Sequence, residues 1–231
     1  METSKGIGID IESVTRFEKL PFEENRSFYE KVFTPNNKSN NLKKKYKING
    51  PMLLTVSRLN KRKNISDQLL ALKLVTQKFP NTKLLIVGKG GEEQKLKLIT
   101  KRLKLKDNVI FTGFVSEKEL PKLYATADIF LLTSKLEGFG IANCEALASG
   151  TPVVTYDTMA AGDFIINGKT GFITNHNYKT FANRILKLLN DKKMLITMSK
   201  NARKETEKKY TWDKYTEKNK EVFDKCIRKK K

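Results

Sequence analysis

The stretch from Ile129 to Val154 constrains this chain more than any other. Ile129-Phe130-Leu131-Leu132 is one short apolar run and Pro152-Val153-Val154 is another. Between them lie a glycine-flanked turn, Glu137-Gly138-Phe139-Gly140-Ile141, and a proline-free segment, Ala142 to Ser149, that stops at Gly150-Thr151-Pro152. Glycine followed by proline ends helices, so the local reading is strand, loop, helix, strand. The turn offers backbone N–H groups at a helix start, which attract anionic oxygens. Glu137 precedes the turn and Glu145 follows eight positions later, where carboxylates can hold hydroxyls. An anion flanked by hydroxyls is the chemistry of a sugar joined to a diphosphate. In an open α/β sheet ligands bind at the carboxyl ends of strands, where this loop lies.

Two earlier segments repeat the strand-and-loop pattern. Met52-Leu53-Leu54-Thr55-Val56 suits a buried parallel strand and opens into a cation cluster, Arg58, Lys61, Arg62 and Lys63. Arg58, a bidentate fork, and Lys63, a mobile point charge, are the candidate clamps for a diphosphate, with Lys61 and Arg62 as substitutes. Lys83 to Val87 is a second buried-type strand, followed by Gly88-Lys89-Gly90-Gly91 and a helix from about Glu92 to Leu103. The glycines there permit close backbone approach to a ligand or simply a tight turn. Their spacing is not the Gly-x-Gly-x-x-Gly of dinucleotide-binding folds, which argues against a nicotinamide enzyme. Asn108 to Phe111 reads as a further strand, and Gly113-Phe114-Val115 leads to a helix over Glu117 to Ala127. Ser116 and Glu119 have capping-box spacing, Leu120, Leu123 and Tyr124 share a face, and Phe114 reads as a packing residue.

The run from Glu137 to Val154, with Asp128 to Ser134 before it, resembles the donor-binding core of retaining glycosyltransferases with the two-domain GT-B fold, commonly called family 4. The resemblance extends from about Pro51 to Val222, and its paired-glutamate motif is fairly specific. It implies an α/β fold, a single Rossmann-like domain with a parallel sheet. It also implies transfer of a hexose or N-acetylhexosamine from a uridine or related nucleotide diphosphate sugar, with retention. Under it, Arg58 and Lys63 hold the donor pyrophosphate, Glu137 contacts the sugar and Glu145 the ribose. Gly138, Phe139, Gly140 and Ile141 form the phosphate turn, Gly88 sits at the lip of the nucleotide pocket, and Val115 offers backbone groups to the base. The Ile165 to Phe172 stretch fits the family's Ile-x-x-Gly-x-x-Gly-Phe turn, whereas Met159 to Gly162 departs from its usual glycines and leaves the sugar open. No metal cage is visible in the sequence, so metal-independent chemistry without a cofactor beyond the nucleotide sugar is expected.

Residues 51–227 carry this domain, and 228–231 form a basic tail. Complete enzymes of the family have a second domain that holds the acceptor, for which a chain of 231 residues has no room. The expected partner is therefore a separate acceptor domain or a second copy, and a non-catalytic donor-binding half is the competing reading. Residues 1–34 form a short appendage whose Gly6-Ile7-Gly8-Ile9-Asp10 opening resembles the start of a holo-acyl-carrier-protein synthase, a phosphopantetheinyl transferase. Asp10 would match a magnesium ligand there, but the family's later acidic ligand has no counterpart after Thr34. Residues 35–50, rich in Asn and Lys, read as a linker and lead-in.

The formal charge of +21 admits polyanions, anionic membrane surfaces or a charged glycan as partners. A basic nucleic-acid-binding module is thus an alternative, but no recognisable nucleic-acid motif accompanies the charge, and no specific nucleic acid is expected. No apolar run could cross a bilayer, and no secretory signal opens the chain. The expected location is cytoplasmic, with the basic tail giving a secondary expectation of peripheral contact with the inner membrane face. Cys144 and Cys226 form neither a metal motif nor a disulfide framework. His176 is the only histidine and reads as incidental.

Overall fold

The computed structural model describes residues 32–138 and 140–209. The expectations for the N-terminal appendage through Lys31, including Asp10, for Phe139, and for the basic tail concern residues outside that range. Six strands, β1 (Met52–Val56), β2 (Lys83–Val87), β3 (Val109–Gly113), β4 (Ile129–Leu132), β5 (Val153–Tyr156) and β6 (Gly171–Thr174), form one parallel sheet. Their order is β3-β2-β1-β4-β5-β6, the doubly wound Rossmann arrangement. The helices are α1 (Asn40–Lys45), α2 (Ile65–Lys78), α3 (Glu93–Arg102), α4 (Leu120–Thr126), α5 (Ile141–Ala148), α6 (Ala161–Phe164), α7 (Tyr178–Asn190) and α8 (Lys192–Lys209).

The continuous apolar runs are explained by helices on both faces of the sheet. Along β1, Leu53 joins the core under α2 and α7, with Leu69, Leu72, Val75, Phe181, Ile185 and Leu188. Met52 and Leu54 join the opposite core under α4 and α5, with Leu123, Tyr124, Cys144, Ala146 and Leu147. This is the alternation a pleated strand imposes. The stripe Phe181, Ile185, Leu188 and Leu189 on α7 is buried as its spacing requires, and Asn177 caps that helix by accepting from Lys179 N and Thr180 N. Residues 35–50 contribute buried Leu42 and Ile48 to the core over the α4 face.

Two local readings differ from the structure. The helix expected over Glu117 to Ala127 forms only over Leu120–Thr126. Ser116 Oγ does accept from Glu119 N at 3.2 Å, but Pro121 occupies the first helical turn. Proline has no backbone N–H for an intrahelical bond and is accommodated in the first turn of a helix, so the helix begins there. Phe114, which follows the last residue of β3 at the edge of the sheet, is 77% exposed rather than packed; Lys89 Nζ lies 5.6 Å from its ring centre.

Candidate functional site

Strand order reverses between β1 and β4, which pair through Leu53 with Ile129 and Leu54 with Phe130. The chain leaving β1 enters α2 on one face, and the chain leaving β4 enters α5 on the other. A crevice opens between the two loops at such a switch point. Arg58 lies exposed on the β1 loop. Lys63 ends a short 3-10 turn, Lys61–Lys63, capped by the Asn60 side chain, which accepts from Lys63 N.

Across the crevice, Lys63 Nζ pairs with Glu137 Oε1, and Ser134 Oγ donates to the same oxygen at 2.6 Å. The loops are joined again by Lys135 N donating to Arg62 O at 2.9 Å. Beneath them Thr133 Oγ1 accepts from Gln68 Nε2 at 3.1 Å and lies 2.9 Å from Asn64 O, which fixes the backbone beside Lys63. Tyr156 OH donates to Asp67 Oδ2 at 2.7 Å, and Asn64 Nδ2 donates to that oxygen at 2.8 Å. The start of α2 is thereby anchored to β5. His176 stacks on Tyr156, with ring centres 4.9 Å apart, and its Nε2 lies 2.6 Å from Asp157 O.

Gly138, Gly140 and Ile141 lead from Glu137 into α5. Gly140 adopts φ +78°, a conformation that favours glycine, and its carbonyl accepts from Asn143 N at 2.9 Å. Among the described residues no side chain caps α5, so its opening N–H groups are placed for an anion. Among the described residues, the buried Asn143 Oδ1 and Ser57 Oγ, both near this sheet edge, have no hydrogen-bond partner. Glu145 sits one turn further along α5, 3% exposed, and its Oε2 accepts from Tyr124 OH at 2.8 Å. The neighbouring Cys144 thiol is pushed up to about 12, first by burial and then by the Glu145 charge.

Gly88 and Val115 lie at the same carboxyl edge. Gly88 N donates to Gly113 O at 2.8 Å, and Ser57 N donates to Val87 O at 3.0 Å, so the loops after β1, β2 and β3 are laced together. A side chain on Gly88 would collide with Ser57 O. Val115 is half-buried and packs on the core of the α4 face. The structure thus brings Lys63 into direct contact with Glu137 and ranges Arg58, Gly88, Val115, Gly138, Gly140, Ile141 and Glu145 along one sheet edge. Sequence reading missed Ser134, Thr133, Gln68 and the Tyr124 hydroxyl. Ser134 stood inside the motif, while Tyr124 carried only the signal of a core-facing aromatic. Among the described residues no three His, Cys, Asp or Glu side chains converge to hold a metal, and no described helix is long and apolar enough to cross a membrane.

The family model for glycosyl transferases group 1 matches residues 37–205, which include all six strands and both glutamates. The chain belongs to the glycosyl transferases group 1 family. A relative of this group 1 domain, the poly(glycerol-phosphate) alpha-glucosyltransferase of Bacillus subtilis, is 34% identical over 157 residues, covering 66% of this chain and 23% of the relative. The structure of Anabaena HepE in complex with UDP-glucose superposes with a TM-score of 0.74 at 25% identity, covering 84% of this chain and 56% of that one. The C-terminal domain of the Francisella tularensis group 1 protein LpcC gives a TM-score of 0.72 at 24% identity, over 78% of this chain and 97% of that one, a likeness of fold. The group 1 domain has the GT-B architecture of retaining-type glycosyltransferases. It spans less than half the length of the curated relatives it matches.

Proposed function

We propose that this chain is the donor-binding half of a family 4 retaining glycosyltransferase. It recognises a nucleotide diphosphate sugar, and together with an acceptor-binding domain or a second copy it transfers a hexose or N-acetylhexosamine to a glycan, lipid or protein acceptor. The observation that carries this reading is the meeting of Lys63 and Glu137 across the switch point, beside the start of α5, which no side chain among the described residues caps. A cation and a carboxylate held against each other there are matched to the two halves of one ligand. The diphosphate takes Lys63, Arg58 and the N–H groups at Gly138, Gly140 and Ile141. Glu137 passes to a sugar hydroxyl, Glu145 holds the ribose, and Gly88 and Val115 border the base.

Departure of the nucleoside diphosphate leaves negative charge on the bridging oxygen. Arg58 and Lys63 aimed at that oxygen stabilise the transition state more than the ground state, and so raise the rate rather than only the affinity. The UDP-glucose bound to HepE favours a uridine donor. Titration calorimetry with UDP-glucose, UDP-N-acetylglucosamine and GDP-mannose, alongside transfer and hydrolysis assays on this chain, tests the reading. Arg58→Ala and Glu145→Ala should each weaken uptake of the preferred donor by at least about tenfold, the scale of one charged hydrogen bond. Uptake without turnover is the expected result for a half that needs an acceptor domain. No uptake, or uptake indifferent to both substitutions, rejects donor recognition.

A further inference from the structure

Tyr124 does more than fill the core. Its ring is fully buried on α4, packed between two aromatic rings, and its backbone is tied as well. Phe33 meets it edge to face at 5.6 Å, Phe130 tilts against it at 5.3 Å, and Thr151 Oγ1 donates to its backbone carbonyl at 2.6 Å. A ring so confined has one position for its hydroxyl, and that hydroxyl donates to Glu145 Oε2 at 2.8 Å. Glu145 is itself only 3% exposed, so few water molecules compete for its orientation. A short hydrogen bond to a carboxylate is stronger than a neutral one and fixes direction as well as distance.

The chemistry of the donor matters as much as its geometry. A tyrosine hydroxyl supplies one directed proton and no charge. We infer that Tyr124 is a positioning residue, which through its hydroxyl sets the Glu145 carboxylate in the orientation that accepts the ribose hydroxyls of the donor nucleotide. This rests on the proposed role of Glu145. It adds that ribose selectivity is held from α4, a helix outside the motif that carries the glutamate.

The test compares UDP with 2′-deoxy-UDP and 3′-deoxy-UDP in calorimetric titrations of the wild-type chain and of Tyr124→Phe. The wild type should prefer UDP over at least one deoxy analogue, and Tyr124→Phe should reduce that preference by roughly tenfold. A general loosening of the core would weaken all three nucleotides alike. Hydrogen bonding to a carboxylate favours its charged form, so the acid limb of the UDP-binding pH profile should also move upward in Tyr124→Phe. A wild type that binds UDP and its deoxy analogues equally overturns the ribose role of Glu145 and the inference with it. A wild type that discriminates, with the same ratio and pH profile in Tyr124→Phe, overturns the inference and leaves donor recognition standing. Should Tyr124→Phe not fold, 3-fluorotyrosine placed at position 124 keeps the ring and makes the hydroxyl a stronger donor. The acid limb should then move downward, and an unmoved limb overturns the inference.

Discussion

A methyl group on Gly88 would lie 2.1 Å from the carbonyl oxygen of Ser57, and φ there is +122°. Both facts exclude a side chain, so this glycine is required by the backbone crossing between the β1 and β2 loops, whatever a ligand asks of it. Gly88→Ala should lower stability by more than about 2 kcal/mol, read as a fall in the urea midpoint; an unchanged midpoint would show that the crossing relaxes without strain. Cys144 gives a second prediction at this scale. Burial and the Glu145 charge raise its thiol from 9.0 to about 12, so the native protein should resist alkylation at Cys144 at pH 8. The proton is held more tightly in the folded state, so stability conferred by the neutral thiol is intact below pH 9 and declines as pH rises toward 12. Rapid labelling of Cys144 in mass spectrometry without denaturant would contradict this.

At the scale of elements, α5 is fixed at both ends by different means. Its start depends on Gly140 and on the Asn143 N–H bond to the Gly140 carbonyl. Its end is held by α8, where Arg203 Nη1 donates to Ala148 O and to Phe33 O, each at 2.8 Å, and Ser199 Oγ donates to Gly150 O at 2.6 Å. Arg203 therefore satisfies a carbonyl that α5 leaves open at its last turn and joins it to the segment before α1. Arg203→Ala leaves those carbonyls without that donor and should cost about 1–3 kcal/mol. Because α5 carries Glu145 and follows the glycine turn proposed to hold the diphosphate, donor affinity should fall with it, although Arg203 lies at the end of the helix remote from the turn. Calorimetry of donor binding beside a urea titration checks both effects. Loss of stability with unchanged affinity would mean that the start of α5 is set by its own turn alone.

For the molecule as a whole, two apolar cores sandwich the sheet, and the candidate site occupies the edge that neither core covers. A ligand that binds only the folded state adds stability by mass action, about 2.7 kcal/mol at one hundred times its Kd. For a chain of this size that raises Tm by roughly 5–10 °C. UDP should produce such a shift in a thermal melt, and the shift should persist as salt is raised. Nonspecific attraction of a +21 chain for a nucleic acid behaves differently, because released counterions make its affinity fall steeply with salt. A melt that answers to duplex DNA at low salt, and to no nucleotide diphosphate at any concentration, would reverse the functional reading.

The strands and the turn are legible from local residue patterns alone. Parallel strands covered on both faces must be apolar throughout, so Met52–Val56, Lys83–Val87 and Ile129–Leu132 announce themselves over a few residues. The glycines and glutamates of the α5 turn are likewise a local pattern, which carried the family resemblance. Tertiary structure decided what depends on neighbours distant in the chain. Lys63 and Glu137 are separated by 74 positions and meet only because β1 and β4 are adjacent at the reversal of strand order. Phe114 and Tyr124 are both aromatics beside apolar residues, yet one is exposed past an edge strand and the other is locked against Glu145. An apolar pattern records that a face is suited to burial; which atom lies at the end of the buried ring is fixed only when the packed helices converge.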